Sequence, residues 1–213
     1  MRYVITPSHI HFFRKHSYIG FDQPLSVKGV LKECERYSPS DRHNLFQRSS
    51  LLRKIASSRK YGNIARELLG ASHLRLLFDH AFLSKDPLPK DFEAPLQLSE
   101  GSSFQGLALL VLIQLSPTPS EIASDEKEPI FSEPIHQSIP LPQAEGDAVF
   151  FLPTAFLELK QEGSFSGNFL LIGYGDLDTV YKHSPSNPFA SFEKNCLQRQ
   201  GDKVTNQDGP LLF

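Results

Sequence analysis

The sequence predicts an α+β fold in which a helical N-terminal third packs on an antiparallel β-sandwich. Three observations carry this. Apolar residues recur at helical spacing as far as Gly70, and from His73 the period drops to two. The later apolar runs are then separated by turn-rich stretches and not by further helices. A chain of 213 residues suits a single domain over 1–213, mainly helical over 1–72, a sheet core over 73–175 and an irregular tail over 176–213. Its 17 Phe and 39% hydrophobic residues suffice for one core. No apolar run approaches the roughly 18–20 residues that cross a bilayer.

In chain order, Ser8 is placed to cap a short helix through His16, and Tyr18–Phe21 reads as a strand. A helix over 27–37 would put Val27, Val30, Leu31 and Cys34 on one face. Pro39 ends it. Residues 42–69 are helical in pattern, with a break expected at Gly62-Asn63 and Gly70 in the position of a C-cap glycine. The strand from His73 to Lys85 alternates. Leu74, Leu76, Phe78, His80 and Phe82 fall on one face, read as outer; Leu77, Asp79, Ala81, Leu83 and Lys85 fall on the other, read as inner. Residues 105–115 are apolar on both faces, which predicts a central strand. Residues 116–134 form a Pro/Ser-rich acidic loop, and strands are expected over 135–141, 147–152 and 168–174, the last closing the sheet. A loop at 184–188 and a short helix over 189–198 complete the tail.

Charge is distributed unevenly. Up to Arg75 there are 14 Lys and Arg against 5 Asp and Glu; from Leu76 onward there are 8 against 19. Basic helices docked on an acidic sheet explain this, as does a basic face for an acidic protein or a nucleic acid. The two cysteines, Cys34 and Cys196, belong to no CxxC pattern, which argues against a disulfide framework or a thiolate zinc site. With no secretory h-region at the start, the cytoplasm is the expected location.

Four stretches in this order resemble the phytanoyl-CoA dioxygenase family: HFFRKHSYIGFDQPLS, ARELLG (65–70) with the strand ending in Lys85, EGDAVFFLP (145–153) and NFLLIGYG (168–175). The resemblance spans most of the chain to Gly175. It implies a double-stranded β-helix (jelly roll, cupin-like) with the N-terminal helices packed on one sheet. It also implies Fe(II) and 2-oxoglutarate as cofactors, with the iron held by a His-x-Asp and a distant His. Carried over by position, His-x-Asp falls on Gln97-Leu98-Ser99 and the distant His on or next to Leu157. The arginine that pairs with 2-oxoglutarate falls near Asn168, and the lysine of the first strand is matched by Lys85.

Gln and Ser are poor neutral ligands for Fe(II), Leu has no donor, and Asn lacks the fixed cation that grips a dicarboxylate. On these residues the expected function is a non-catalytic relative of the oxygenases, a binding or regulatory protein with no metal. Its pocket candidates are Asp79, Lys85, Gln97, Ser99, Leu157 and Asn168. Two other readings stay open. One is an active oxygenase with atypical ligands, for instance His80, His136 and a carboxylate; the other is an adaptor working through the basic helices. Asp79 and Lys85, six strand residues apart, would lie about 20 Å from one another and form no catalytic pair.

Overall fold

The computed structural model describes residues 4–117, 138–160, 165, 167–192 and 199–212. Its centre is a six-stranded antiparallel sheet in the order β1-β4-β3-β5-β2-β6. These strands are β1 Tyr18–Phe21, β2 Leu74–Phe82, β3 Phe104–Gln114, β4 Ala148–Phe151, β5 Phe169–Tyr181 and β6 Leu211–Leu212. As expected from its two apolar faces, β3 is interior, paired with both β4 and β5. Leu109, Val111 and Ile113 enter one core while Leu110 and Leu112 enter another. The strand expected to close the sheet is interior too: β5 lies between β3 and β2. It also continues past the expected end to Tyr181.

The first core lies between the sheet and the helices α1 Pro7–His16, α2 Val30–Cys34, α3 Ser50–Ala56 and α4 Arg59–Leu69. Three boundaries differ from the sequence pattern, each for a local reason. Thr6, not Ser8, caps α1: its hydroxyl accepts from the His9 N–H and His9 returns a bond to the Thr6 backbone, with Pro7 in the first turn. Thr6→Ala should therefore lower stability by about 1 kcal/mol while Ser8→Ala leaves it unchanged, as urea midpoints would show. The helix α2 is only a five-residue piece, because Gly29 enters it at φ 81°. The 42–69 stretch breaks at Ser57-Ser58, where Ser58 caps α4 by accepting from the Tyr61 N–H, and not at Gly62, which is buried within α4. Between α2 and α3 the chain is irregular apart from short 3-10 turns at Pro39–Asp41 and Leu45–Gln47. Gly70 does terminate α4 in the left-handed conformation at φ 67°.

The second core covers the opposite sheet face. There Phe151, Phe169 and Leu171 meet Phe92, Leu98, Ile139, Leu157, Leu159 and Phe189 from the covering segments. Those segments join through isolated bridges, Leu96 to Leu157 and Ser138 to Phe156. Of the strand expected over 135–141, residues 138–141 contribute only that bridge, and 135–137 fall outside the described residues, as do Cys196, His136 and most of the acidic loop. The short helix expected over 189–198 is a turn as far as Phe192, the remainder again lying outside. Nor is the tail merely irregular: β6 pairs with the edge of β2, burying Leu212 against the helix-side core. Among the described residues no helix is long and apolar enough to cross a membrane.

Candidate functional site

The strand β2 decides which residues can face the interior. Its register shifts between Leu76 and Phe78, and this bulge puts Leu77 and Phe78 into the same core. Beyond it the alternation is inverted. Phe78 and Phe82 enter the interior core, and His80 packs at 4.5 Å from the Phe82 ring. Asp79, Ala81 and Leu83 turn toward the helices. The expectation of an inner face bearing Asp79 and Lys85, with His80 outside, is therefore reversed. The bulge has a partner on β5: Phe78 lies opposite Gly173, where a Cβ would stand 2.3 Å from the Phe78 ring, so only glycine leaves room for that ring.

Asp79 is fully buried under the 44–46 turn. Its Oδ2 accepts the Phe46 N–H at 3.0 Å, while its carbonyl accepts the Asn44 N–H at 2.8 Å. Oδ1 has no hydrogen-bond partner among the described residues. Burial pushes the carboxyl up to about 7, against the opposing pull of its backbone donors. The neighbouring Cys34 thiol is raised to about 12 chiefly by its own burial, which leaves it an inert packing group. Lys85 is half exposed and pairs with Glu35 at 3.3 Å, on the helix side.

Three of the positions do come together. The Leu96 and Leu157 backbones exchange two bonds of 2.9 Å, the Ser99 N–H donates to the Pro153 carbonyl at 2.9 Å, and the Gln97 amide donates to the Thr154 carbonyl at 2.6 Å. Gln97, Ser99 and Leu157 thus sit on two adjoining segments, but it is Leu98, between the first two, that enters the core with Leu157, while Gln97 and Ser99 stay part-exposed. The Leu157 side chain is only 1% exposed, packed in the interior core. Asn168 lies apart and ties strand ends together: its Oδ1 accepts the Ser84 N–H at 2.9 Å and its Nδ2 donates to the Ser116 hydroxyl at 2.8 Å. As donors, an engaged amide, a hydroxyl and an alkyl group do not fit Fe(II). Among the described residues no three His, Cys, Asp or Glu converge as a metal site.

Sequence reasoning missed an aromatic cluster that fills part of the interior. Phe189 packs with ring centroids 5.0 Å from His43, 5.2 Å from Phe78, 5.3 Å from His80 and 5.3 Å from Phe92. His43 comes from an irregular segment that forms a bridge with His80. Next to it, Arg42 is buried, ion-paired with Asp86, and its Nε donates to the Cys34 and Tyr37 carbonyls at 3.2 and 3.1 Å. Nothing local signals this, since 80 and 189 meet only once the sheet has formed.

Solved structures share this fold. The chain superposes on the non-haem α-ketoglutarate-dependent carbocyclase SnoK from nogalamycin biosynthesis with a TM-score of 0.69. That match has 17% identity and covers 98% of this chain and 97% of SnoK. The epimerase SnoN, solved with Fe3+, α-ketoglutarate and a nogalamycin compound, matches at 0.67 and 17% identity over 96% of this chain and 97% of its own. The chain has the fold of the non-haem iron, 2-oxoglutarate-dependent enzymes. HygX from Streptomyces hygroscopicus, solved with iron bound, matches this fold at 0.58 with 13% identity, over 96% of this chain and 99% of HygX. At such identities the likeness is one of fold. No protein-family model and no curated protein matches the sequence.

Proposed function

We propose that this chain is a non-catalytic relative of the iron- and 2-oxoglutarate-dependent enzymes, of phytanoyl-CoA dioxygenase type, that works by binding. In this reading it is a single domain whose two cores form a double-stranded β-helix. Gln97, Ser99 and Leu157 stand where the iron ligands were, and Asn168 where the arginine for 2-oxoglutarate was. The observation that carries the reading is Leu157: a donor-free side chain, 1% exposed, sits on the segment paired with the one bearing Gln97 and Ser99. A divalent ion there would lose two imidazoles and a carboxylate and gain only neutral oxygens.

An active dioxygenase with atypical ligands is the competing reading, favoured by the near full-length likeness to SnoN and SnoK. The adaptor reading loses Arg42 from its basic face, while Arg48 and Arg53 stay exposed with partners of their own. Arg53 donates to the Phe46 and Gln47 carbonyls, Arg48 pairs with Asp41, and Arg42 is buried.

Anaerobic reconstitution with Fe(II) and 2-oxoglutarate separates the first two. The expected result is iron well below one equivalent and no visible charge-transfer band. Stoichiometric iron with the band in the unaltered protein would overturn the non-catalytic reading.

A further inference from the structure

The helix α1 carries an aromatic step on its outer side. Phe12 is the most exposed phenylalanine among the described residues, at 40%, and belongs to neither core. Its ring lies 4.4 Å from that of His16 at an angle of 32°, and Tyr18 meets it nearly edge-on at 5.8 Å. The last turn adds charge: Arg14 and Lys15 are exposed, and neither has an ion-pair partner among the described residues. Lys15 stands three residues from Phe12 and four from His11, so helical spacing sets cation and ring side by side. Phe13, buried in the helix-side core, fixes which side of α1 faces out.

No acid on α1 offsets this charge, since Pro7–His16 contains neither Asp nor Glu. The helix packs against α4, which adds Arg59, Lys60 and Arg66 against the single acid Glu67. Both helices cover the same core, so their polar sides share one face of the molecule. Gln97, Ser99 and Leu157 belong to segments over the opposite sheet face, so this surface is separate from them. Cations without acids attract phosphate, and an exposed ring beside them stacks with a nucleobase. A duplex presents phosphates but keeps its base faces inside the stack. An acidic peptide uses the cations and leaves the rings idle. A single strand matches both.

We propose that the outer side of α1, with the adjoining side of α4, binds single-stranded nucleic acid, with an unpaired base against Phe12 and His16 and phosphates at Arg14 and Lys15. The inference rests on the binding role proposed above and gives that role a partner. It involves no covalent step.

Fluorescence anisotropy of a labelled oligothymidylate of about twelve nucleotides, titrated with the whole chain, tests this. Binding should saturate with a midpoint of roughly 10–100 μM at about 50 mM salt. Log affinity should fall with log salt at a slope of about −2, as for some three phosphates. Phe12→Ala should weaken binding about tenfold, the loss of one stacked base, and Lys15→Gln should reduce the slope by about 0.7. Lys203→Gln, at an exposed lysine outside these helices, should change neither. A duplex of the same length should bind more weakly. Phe12 and Lys15 are both exposed, so their variants should fold, and shifts of the Phe12 and His16 ring signals in the unaltered protein report the contact independently. An absence of saturable binding, equal binding by folded Phe12→Ala, or a duplex bound as tightly would each overturn the inference. Phosphatidylserine vesicles or polyglutamate bound through Lys15 in place of the oligonucleotide would do the same, making a lipid surface or an acidic chain the partner. Stoichiometric iron on reconstitution would instead overturn the non-catalytic role, leaving this titration unchanged.

Discussion

Phe189→Ala should cost the protein about 3–5 kcal/mol, the usual range when a buried phenylalanine is truncated in a packed core. The ring is 2% exposed and is in ring contact with His43, Phe78, His80 and Phe92. Its backbone is fixed as well: the Phe189 N–H donates to Asn187 Oδ1 at 2.9 Å, and the Lys182 N–H donates to the Ser103 carbonyl at 2.8 Å. These bonds hold the tail in place, so the cavity cannot collapse freely and the loss should lie toward the upper end. Urea unfolding of Phe189→Ala, with the exposed Ala190→Ser as control, measures it. A loss under about 1 kcal/mol would mean that residues 182–192 do not belong to the folded core.

The second large effect concerns Asp79. Its carboxyl ionises at about 7 in the folded chain against an ordinary 3.8, so the native state retains a proton that the unfolded chain has released. Its contribution therefore favours folding most in acid and declines as pH rises from about 4 to about 7, by on the order of 4 kcal/mol in total. His80 acts in the opposite sense: its depressed value makes unfolding take up a proton below the ordinary 6.5, so its contribution fades as pH falls. The whole-protein profile blends the two, and the comparison with Asp79→Asn isolates the first. That variant keeps an oxygen to accept from Phe46 and cannot ionise. Its stability relative to the parent should be about 3 kcal/mol more favourable at pH 8 than at pH 4.5. A stability difference that does not change across this range would place the ionised carboxylate in a better solvated setting than the buried one described.

Much of the fold is legible along the chain because its signals are local. The helix stop at Gly70 needs only a residue that tolerates positive φ, and the interior position of β3 follows from eleven residues with apolar side chains on nearly every position. The change of period at His73 likewise separates helices from sheet without reference to any partner. Within the candidate site, the chemistry at Gln97, Ser99 and Leu157 is equally readable, since the donors a side chain carries do not depend on its surroundings.

What the tertiary structure alone decided is which side each residue faces. The one-residue bulge at Leu77-Phe78 exchanged the roles of Asp79 and His80, and it exists because Gly173, almost a hundred positions away, admits the Phe78 ring. The same holds for the tail, which looks polar and irregular until Phe189 and Leu212 reach cores built by earlier segments. Local period fixes what an element is; pairing and burial between distant segments fix what it touches. Those contacts carry both His80 and Asp79 into the dry interior.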